Sequence, residues 1–291
     1  MSIKKANFLL VLVTVAWGAS YLFTKTLVEE LAPFTLISYR FLLAFFITAI
    51  VFWKQIKKTN KETILASAVQ GFIMAIVCIL FAYALRITEA SVAGFLIATT
   101  VIIVPLLTVA ITRKLPSRSV VGGSVVTLIG LALFSLKGSF SVSVGMVLCL
   151  ITAFLYAVHI ILNNRFVQKI DSLQFGVFQL FFTGFFSFIG ALISEPLTLP
   201  QTSKGWGSLL GLVIFCSAFA IIVQSIAQKH TSAVSTGFIF SLEPIFAAMF
   251  AFAFLNERMD TQEMIGALFI FAGVLAANYT PSKTKRVAET V

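Results

Sequence analysis

Ten runs of roughly twenty apolar residues organise this chain, at approximately 7–28, 34–53, 63–85, 90–112, 118–136, 142–162, 172–193, 206–228, 233–255 and 262–280. A helix of about 20 apolar residues crosses a hydrocarbon layer about 30 Å thick while satisfying its own backbone hydrogen bonds. Barrel strands would instead alternate over about ten residues, and these runs are continuous. The links between them are mostly short and polar, which leaves no stretch for a water-soluble domain. Only 11% of the residues are charged and the mean hydropathy is +1.03, against roughly 25% charged residues in soluble domains. Lys4 and Lys5 ahead of the first run and Gly18-Ala19-Ser20 within it resemble a secretory leader. Its apolar character continues to Val28, however, so it reads as a first span.

The net charge of +10 is unevenly distributed between alternate links. One set, from Lys4 and Lys5 through Lys54, Lys57, Lys58 and Lys61 to Lys283, Lys285 and Arg286, holds fifteen basic residues; the other holds five, Lys25, Arg86, Lys137, Lys204 and Arg258. The basic-rich side faces the cytoplasm in multi-pass proteins, so both termini are placed there. The charge is thereby explained by the lipid bilayer as partner, with no nucleic acid, whose binding would need a basic face on a polar fold. Cys78, Cys149 and Cys216 all lie in apolar runs without redox or zinc spacing and read as small core residues.

Displaced by 143 residues, the chain matches itself without a gap from Thr88 to Gly130: Thr88 falls on Thr231, Gly94 on Gly237, Gly123 on Gly266 and Gly130 on Gly273. The glycine matches weigh most, because small residues seven apart share a helix face and let membrane helices approach closely. The expected architecture is an all-α integral membrane protein of ten transmembrane helices, with a first five-helix repeat over 1–137 and a second over 138–291. Five is odd, so the copies enter from opposite sides, the inverted arrangement of secondary transporters. Gly207 and Gly211 form a GxxxG pair, for which internal packing is favoured over a homodimer interface.

Polar groups deep in the spans are costly and mark candidate sites. Glu243 lies about ten residues into the ninth run, roughly 15 Å deep, beside Pro244, which removes a backbone donor and can bend the helix at Phe240. It is either a proton or substrate site, or a buried carboxyl that fixes the bend. Trp17 is equally deep and shares a helical stripe with Thr14, Tyr21 and Thr24, all with hydrogen-bonding groups, so a cavity wall is favoured over plain packing. Arg40, in the outer third of the second run, either anchors an anionic substrate group or snorkels to the surface. For Lys25, nearer the surface, snorkelling is favoured. Gln70, Gln179, Gln224 and His159 lie toward the cytoplasmic ends and are candidates for an inner vestibule. His159 is favoured as a packing residue over a proton relay. Asn256-Glu257-Arg258-Met259-Asp260 reads as a solvated turn. No residue cluster has metal-ligand spacing and no Gly-rich phosphate loop is present, so no cofactor is expected.

Ala16-Trp17-Gly18, Tyr39-Arg40-Phe41, Ser241-Leu242-Glu243-Pro244-Ile245-Phe246 and Leu255-Asn256-Glu257-Arg258, set in two five-span halves, resemble the EamA-type members of the drug/metabolite transporter superfamily. The resemblance covers nearly the whole chain. It implies a multi-pass carrier of the cytoplasmic membrane, often an exporter of amino acids or other small metabolites. It also implies a central cavity, with the positions of Trp17, Arg40 and Glu243 in or near the surrounding helices. The first half departs from the motif, with Lys114 at the place of Glu257 and Thr100 at that of Glu243. The expected activity is thus alternating-access transport of a small molecule, with Trp17, Tyr21, Thr24, Arg40 and Glu243 binding and Glu243, Pro244 and His159 in coupling or gating. Carriers of cationic drugs or nucleobase-type solutes are the alternative. A membrane-embedded enzyme would need at least two convergent reactive groups, and a channel would need polar rings along a pore.

Overall fold

The computed structural model describes residues 1–88, 90–135, 143–255 and 260–278, and every regular element among them is helical. In chain order these are α1 (Ile3–Leu27), α2 (Pro33–Val51), the short α3 (Trp53–Ile56), α4 (Lys61–Ile87), α5 (Ala90–Ala98), α6 (Thr100–Thr112), α7 (Arg118–Ser135), α8 (Val144–Val167) and α9 (Ser172–Ser194). There follow α10 (Ser203–Gly211), a π-helical segment (Leu212–Phe219), α11 (Ala220–Gln228), α12 (Ala233–Phe240), α13 (Glu243–Leu255) and α14 (Thr261–Asn278). Eight helical stretches are long and apolar enough to cross a membrane, and Leu96–Thr112 and Arg118–Leu133 are shorter apolar helices. Lys137, Glu89, the turn 256–259 and the basic tail lie outside the described residues.

Local chemistry sets the helix ends. Side-chain oxygens of Asn60, Asp171, Thr202 and Ser232 accept from the backbone N–H three residues on, each an N-cap. Asp260 and Glu263 exchange such bonds as a capping box. Two further carboxylates reach across the fold. Glu195 accepts from the N–H groups of Phe34 and Thr35 at the start of α2, and Glu30 accepts from Gln201 and Thr202 before α10. The Thr202 hydroxyl and these backbone donors hold the Glu30 carboxyl below its usual range.

The fourth and ninth runs, expected as continuous spans, are each broken near their midpoints. The Thr99 and Ser241 hydroxyls turn back onto the carbonyls of Leu96 and Phe238, three residues earlier, and so compete with the helical ladder. Pro244 sits in the first turn of α13, where its missing N–H costs least, rather than in a helix interior. The bounds recur: α5 and α12, α6 and α13, and α7 and α14 each start 143 residues apart, and α6, α7, α13 and α14 also end so.

The matched glycines lie where helices touch. A Cβ on Gly123 would meet Ala277 and the Gly273 carbonyl, and one on Gly130 would meet the Ile270 nitrogen at 2.6 Å and the Gly266 carbonyl at 2.8 Å. Early residues of α7 thus face late residues of α14, and the two helices pack antiparallel. Because those neighbours are backbone, Gly130→Val is expected to lower stability by about 1–3 kcal/mol, read as a lower melting temperature in detergent. Gly122→Ala, at a glycine facing open space, should not. Of the GxxxG pair, Gly211 abuts Phe23, whereas a Cβ on Gly207 would meet no other helix among the described residues.

Candidate functional site

Where α1, α2, α4, α5, α8 and α13 converge they leave a small, partly open cavity, whose lining includes Trp17, Tyr21, Arg40, Phe81, Tyr156 and Glu243. A narrow crevice beside it, also lined by Tyr21, Tyr156 and Glu243, reaches Gly94 of α5 and the residues Thr100, Phe240 and Pro244 that flank the helix breaks. The broken helices therefore lie next to the cavity, away from a lipid-facing position, as irregular backbone at membrane depth should.

Trp17 packs edge-on against Phe240 at 4.9 Å and Tyr156 at 6.0 Å, and Tyr156 stacks on Phe240 at 6.2 Å. These three rings form the cavity floor. Tyr21, edge-on to Phe81 at 5.3 Å, forms a wall, and it lines the cavity together with Glu243. Arg40 is buried at 7% exposure, yet no ion pair within 4.0 Å joins it to a described carboxylate. Its Nε donates to Ser217 Oγ at 2.7 Å and its Nη2 to the Cys216 carbonyl at 3.1 Å. That same carbonyl accepts from Trp17 Nε1 at 3.0 Å.

The double acceptance has a backbone cause. Cys216 and Ser217 lie in the π segment, whose i→i+5 pattern displaces carbonyls from the ordinary ladder, and such segments occur frequently at functional sites. Trp17→Phe keeps the aromatic surface but removes one of the two donors to Cys216. The expected cost is about 1 kcal/mol of stability, measured by thermal unfolding against the parent protein.

Trp17, Tyr21, Arg40, Glu243 and Pro244 are thus brought together. Thr24, though buried, is not part of the lining, and Thr14 bonds to the Leu10 carbonyl within its own helix. His159 lies one turn beyond Tyr156, completely buried, outside the cavity. Its carbonyl accepts from Gln70 Nε2 at 2.9 Å and its Nε2 pairs with Gln179 at 3.0 Å. Asn163 donates to Gln228, which also accepts from Gln224 at 3.1 Å. In this structure the residues expected to line an inner vestibule form a buried polar plug, in which Gln70 Oε1, His159 Nδ1, Asn163 Oδ1, Gln179 Oε1 and Gln224 Oε1 have no hydrogen-bond partner among the described residues. Lys25 is exposed, as snorkelling requires. Tyr156, Cys216 and Ser217 were not anticipated.

The sequence profile of the EamA-like transporter family matches residues 4–136 and again 143–279. The chain belongs to that family. It is therefore a multi-pass membrane transporter protein. It is 32% identical over 286 residues, covering 93% of this chain and 96% of the other, to an uncharacterized transporter of Archaeoglobus fulgidus. It is 23% identical, over 90% of its length and 89% of the relative's, to the uncharacterized transporter YyaM of Bacillus subtilis. A 105-residue stretch, 33% of this chain, is 26% identical to 91% of the Multidrug transporter EmrE of Escherichia coli. A solved crystal structure superimposes with a TM-score of 0.78 over 99% of both chains at 15% identity, a likeness of fold. Trp17 lies in the first helix of the first match and Tyr156 in the first helix of the second. The family's internal repetition thus offered a signal for the missed aromatic.

Proposed function

We propose that this member of the EamA-like transporter family is a secondary carrier that exports amino acids or similar small metabolites by alternating access. In this reading ten spans form two five-helix halves of inverted topology, with both termini cytoplasmic. The 143-residue recurrence of helix bounds and the antiparallel packing of α7 on α14 support it. The observation that carries the substrate class is the placing of Arg40 and Glu243, opposite in charge and not ion-paired, on one aromatic-walled cavity. A zwitterion complements both: its carboxylate to the guanidinium, its ammonium to Glu243, and an apolar side chain to the rings of Trp17, Tyr21, Phe81 and Tyr156. Glu243 also serves as the proton site that couples export to the proton gradient. The polar plug around His159 is the closed cytoplasmic gate in this state, with the cavity on its outer side.

A second reading, a carrier of lipophilic cations, is favoured by the same carboxylate among aromatic rings and by the partial likeness to a protein named a multidrug transporter. Counterflow into reconstituted vesicles separates the two. Saturable exchange of a labelled large apolar amino acid, inhibited poorly by a quaternary ammonium dye, supports the first. The reverse inhibition pattern supports the second. Ohmic current without exchange would reveal a channel, and chemical conversion of the solute an enzyme, and either would refute both.

A further inference from the structure

We infer that the chain carries a binding site for one anionic glycerophospholipid in the groove between α2, α3 and α9, apart from the transport cavity. Phe45, Phe46, Ala49 and Ile50 follow α2 at positions i, i+1, i+4 and i+5, and so present one face. With Phe178 of α9 and Trp53 of α3 they line a groove of about 760 Å³, floored by Ile56 and almost wholly apolar. At its mouth the Lys57 ammonium lies over the Trp53 ring, 5.2 Å from the centroid.

The groove forms because the chain leaves the membrane abruptly. α2 ends at Val51, and Phe52 has non-helical dihedrals (φ −106°, ψ 24°), which turn α3 aside. Gln174 of α9 ties the turn down by donating to the Gln55 carbonyl at 3.0 Å. Side chains that would otherwise fill the space are thus held apart. Trp53 is 55% exposed and Ile50 78% exposed, and an open apolar trough on a membrane helix is filled by hydrocarbon.

Charge selects the head group. Lys54, Lys57, Lys58 and Lys61 are all exposed within one turn region, against Glu62 within that stretch and Asp171 at the start of the neighbouring α9. Basic clusters at the ends of membrane helices attract anionic lipid, and an indole beside an ammonium is at home at the head-group level. A second copy of this chain fits poorly. A two-fold contact would bring two such lysine clusters together on molecules that each carry +10. The lipid phosphate instead accepts from Lys57, while one acyl chain lies against Phe45, Phe46 and Phe178.

The test uses the full chain in phosphatidylcholine vesicles doped with phosphatidylglycerol or phosphatidylcholine brominated in the acyl chain, at equal mole fraction. Bromine quenches indole on contact, so Trp53 reports the occupant. Brominated phosphatidylglycerol is expected to quench at about fivefold lower mole fraction, the enrichment one lysine near an anionic surface supplies. Lys57→Gln should abolish that preference and Trp53→Phe should remove the preferential signal. In the unmodified protein high salt should weaken the preference, which tests the charge term without a variant. Equal quenching by both lipids would overturn the proposal, as would a preference that survives both Lys57→Gln and high salt. Cross-linking between copies through position 50, with Trp53 shielded from either lipid, would make the groove a dimer interface and equally overturn it.

Discussion

Replacing Glu243 with glutamine is expected to slow transport roughly tenfold to a hundredfold, the equivalent of about 1.5–3 kcal/mol for hydrogen bonds to a charged group. The substitution keeps the shape of the side chain, so the helix break at Ser241 and the crevice beside it should persist. The charge is lost, and with it the complement to an ammonium group and the titrating site. Two results should appear together in vesicles that contain equal amounts of inserted protein. The rate falls for amino acids and for simple amines alike, and the residual rate no longer depends on pH. A variant that transports like the parent at every pH would remove both roles.

Arg40→Gln should separate substrates that Glu243→Gln does not. Loss of the guanidinium deprives a carboxylate of its partner but leaves the aromatic walls and Glu243 in place. Exchange of an amino acid should therefore fall about tenfold or more, while exchange of the corresponding decarboxylated amine should be spared. Arg40→Lys should rescue only part of the loss. An ammonium is a compact charge without the planar fork that reaches Ser217 Oγ and the Cys216 carbonyl at once. Counterflow with the paired substrates gives the answer directly. An equal fall for both would mean that Arg40 holds the helices together and does not recognise substrate.

The helical spans were legible because lipid imposes one rule on all of them: about twenty apolar residues with every backbone group satisfied. The breaks at Thr99 and Ser241 were not, since a hydroxyl that turns onto the carbonyl three residues earlier leaves no trace in hydropathy. Glu243, Arg40 and Trp17 were conspicuous as polar or deeply placed groups in apolar sequence, and the fold places all three on one cavity. Thr24 shares the helical stripe of Trp17 and Tyr21, but a stripe fixes a face of α1, not where along it the neighbouring helices part. The amides near His159 suggested a wet vestibule by their polarity. In this structure they are buried, and their bonds join α4, α8 and α9 at His159 and α8 to α11 at Gln228, links that no single run of sequence displays. The π segment is the largest omission, because its composition is that of any apolar helix.

The Cys216 carbonyl is one acceptor serving residues from two different helices. Trp17 and Arg40 consequently are not independent contributors: in a double-substitution cycle their losses should fall short of the sum. The backbone oxygen works as a shared latch. Were residues 212–219 to regain ordinary α register, this oxygen would return to its own helix, and both the Trp17 ring and the Arg40 guanidinium on the cavity would be let go in one motion.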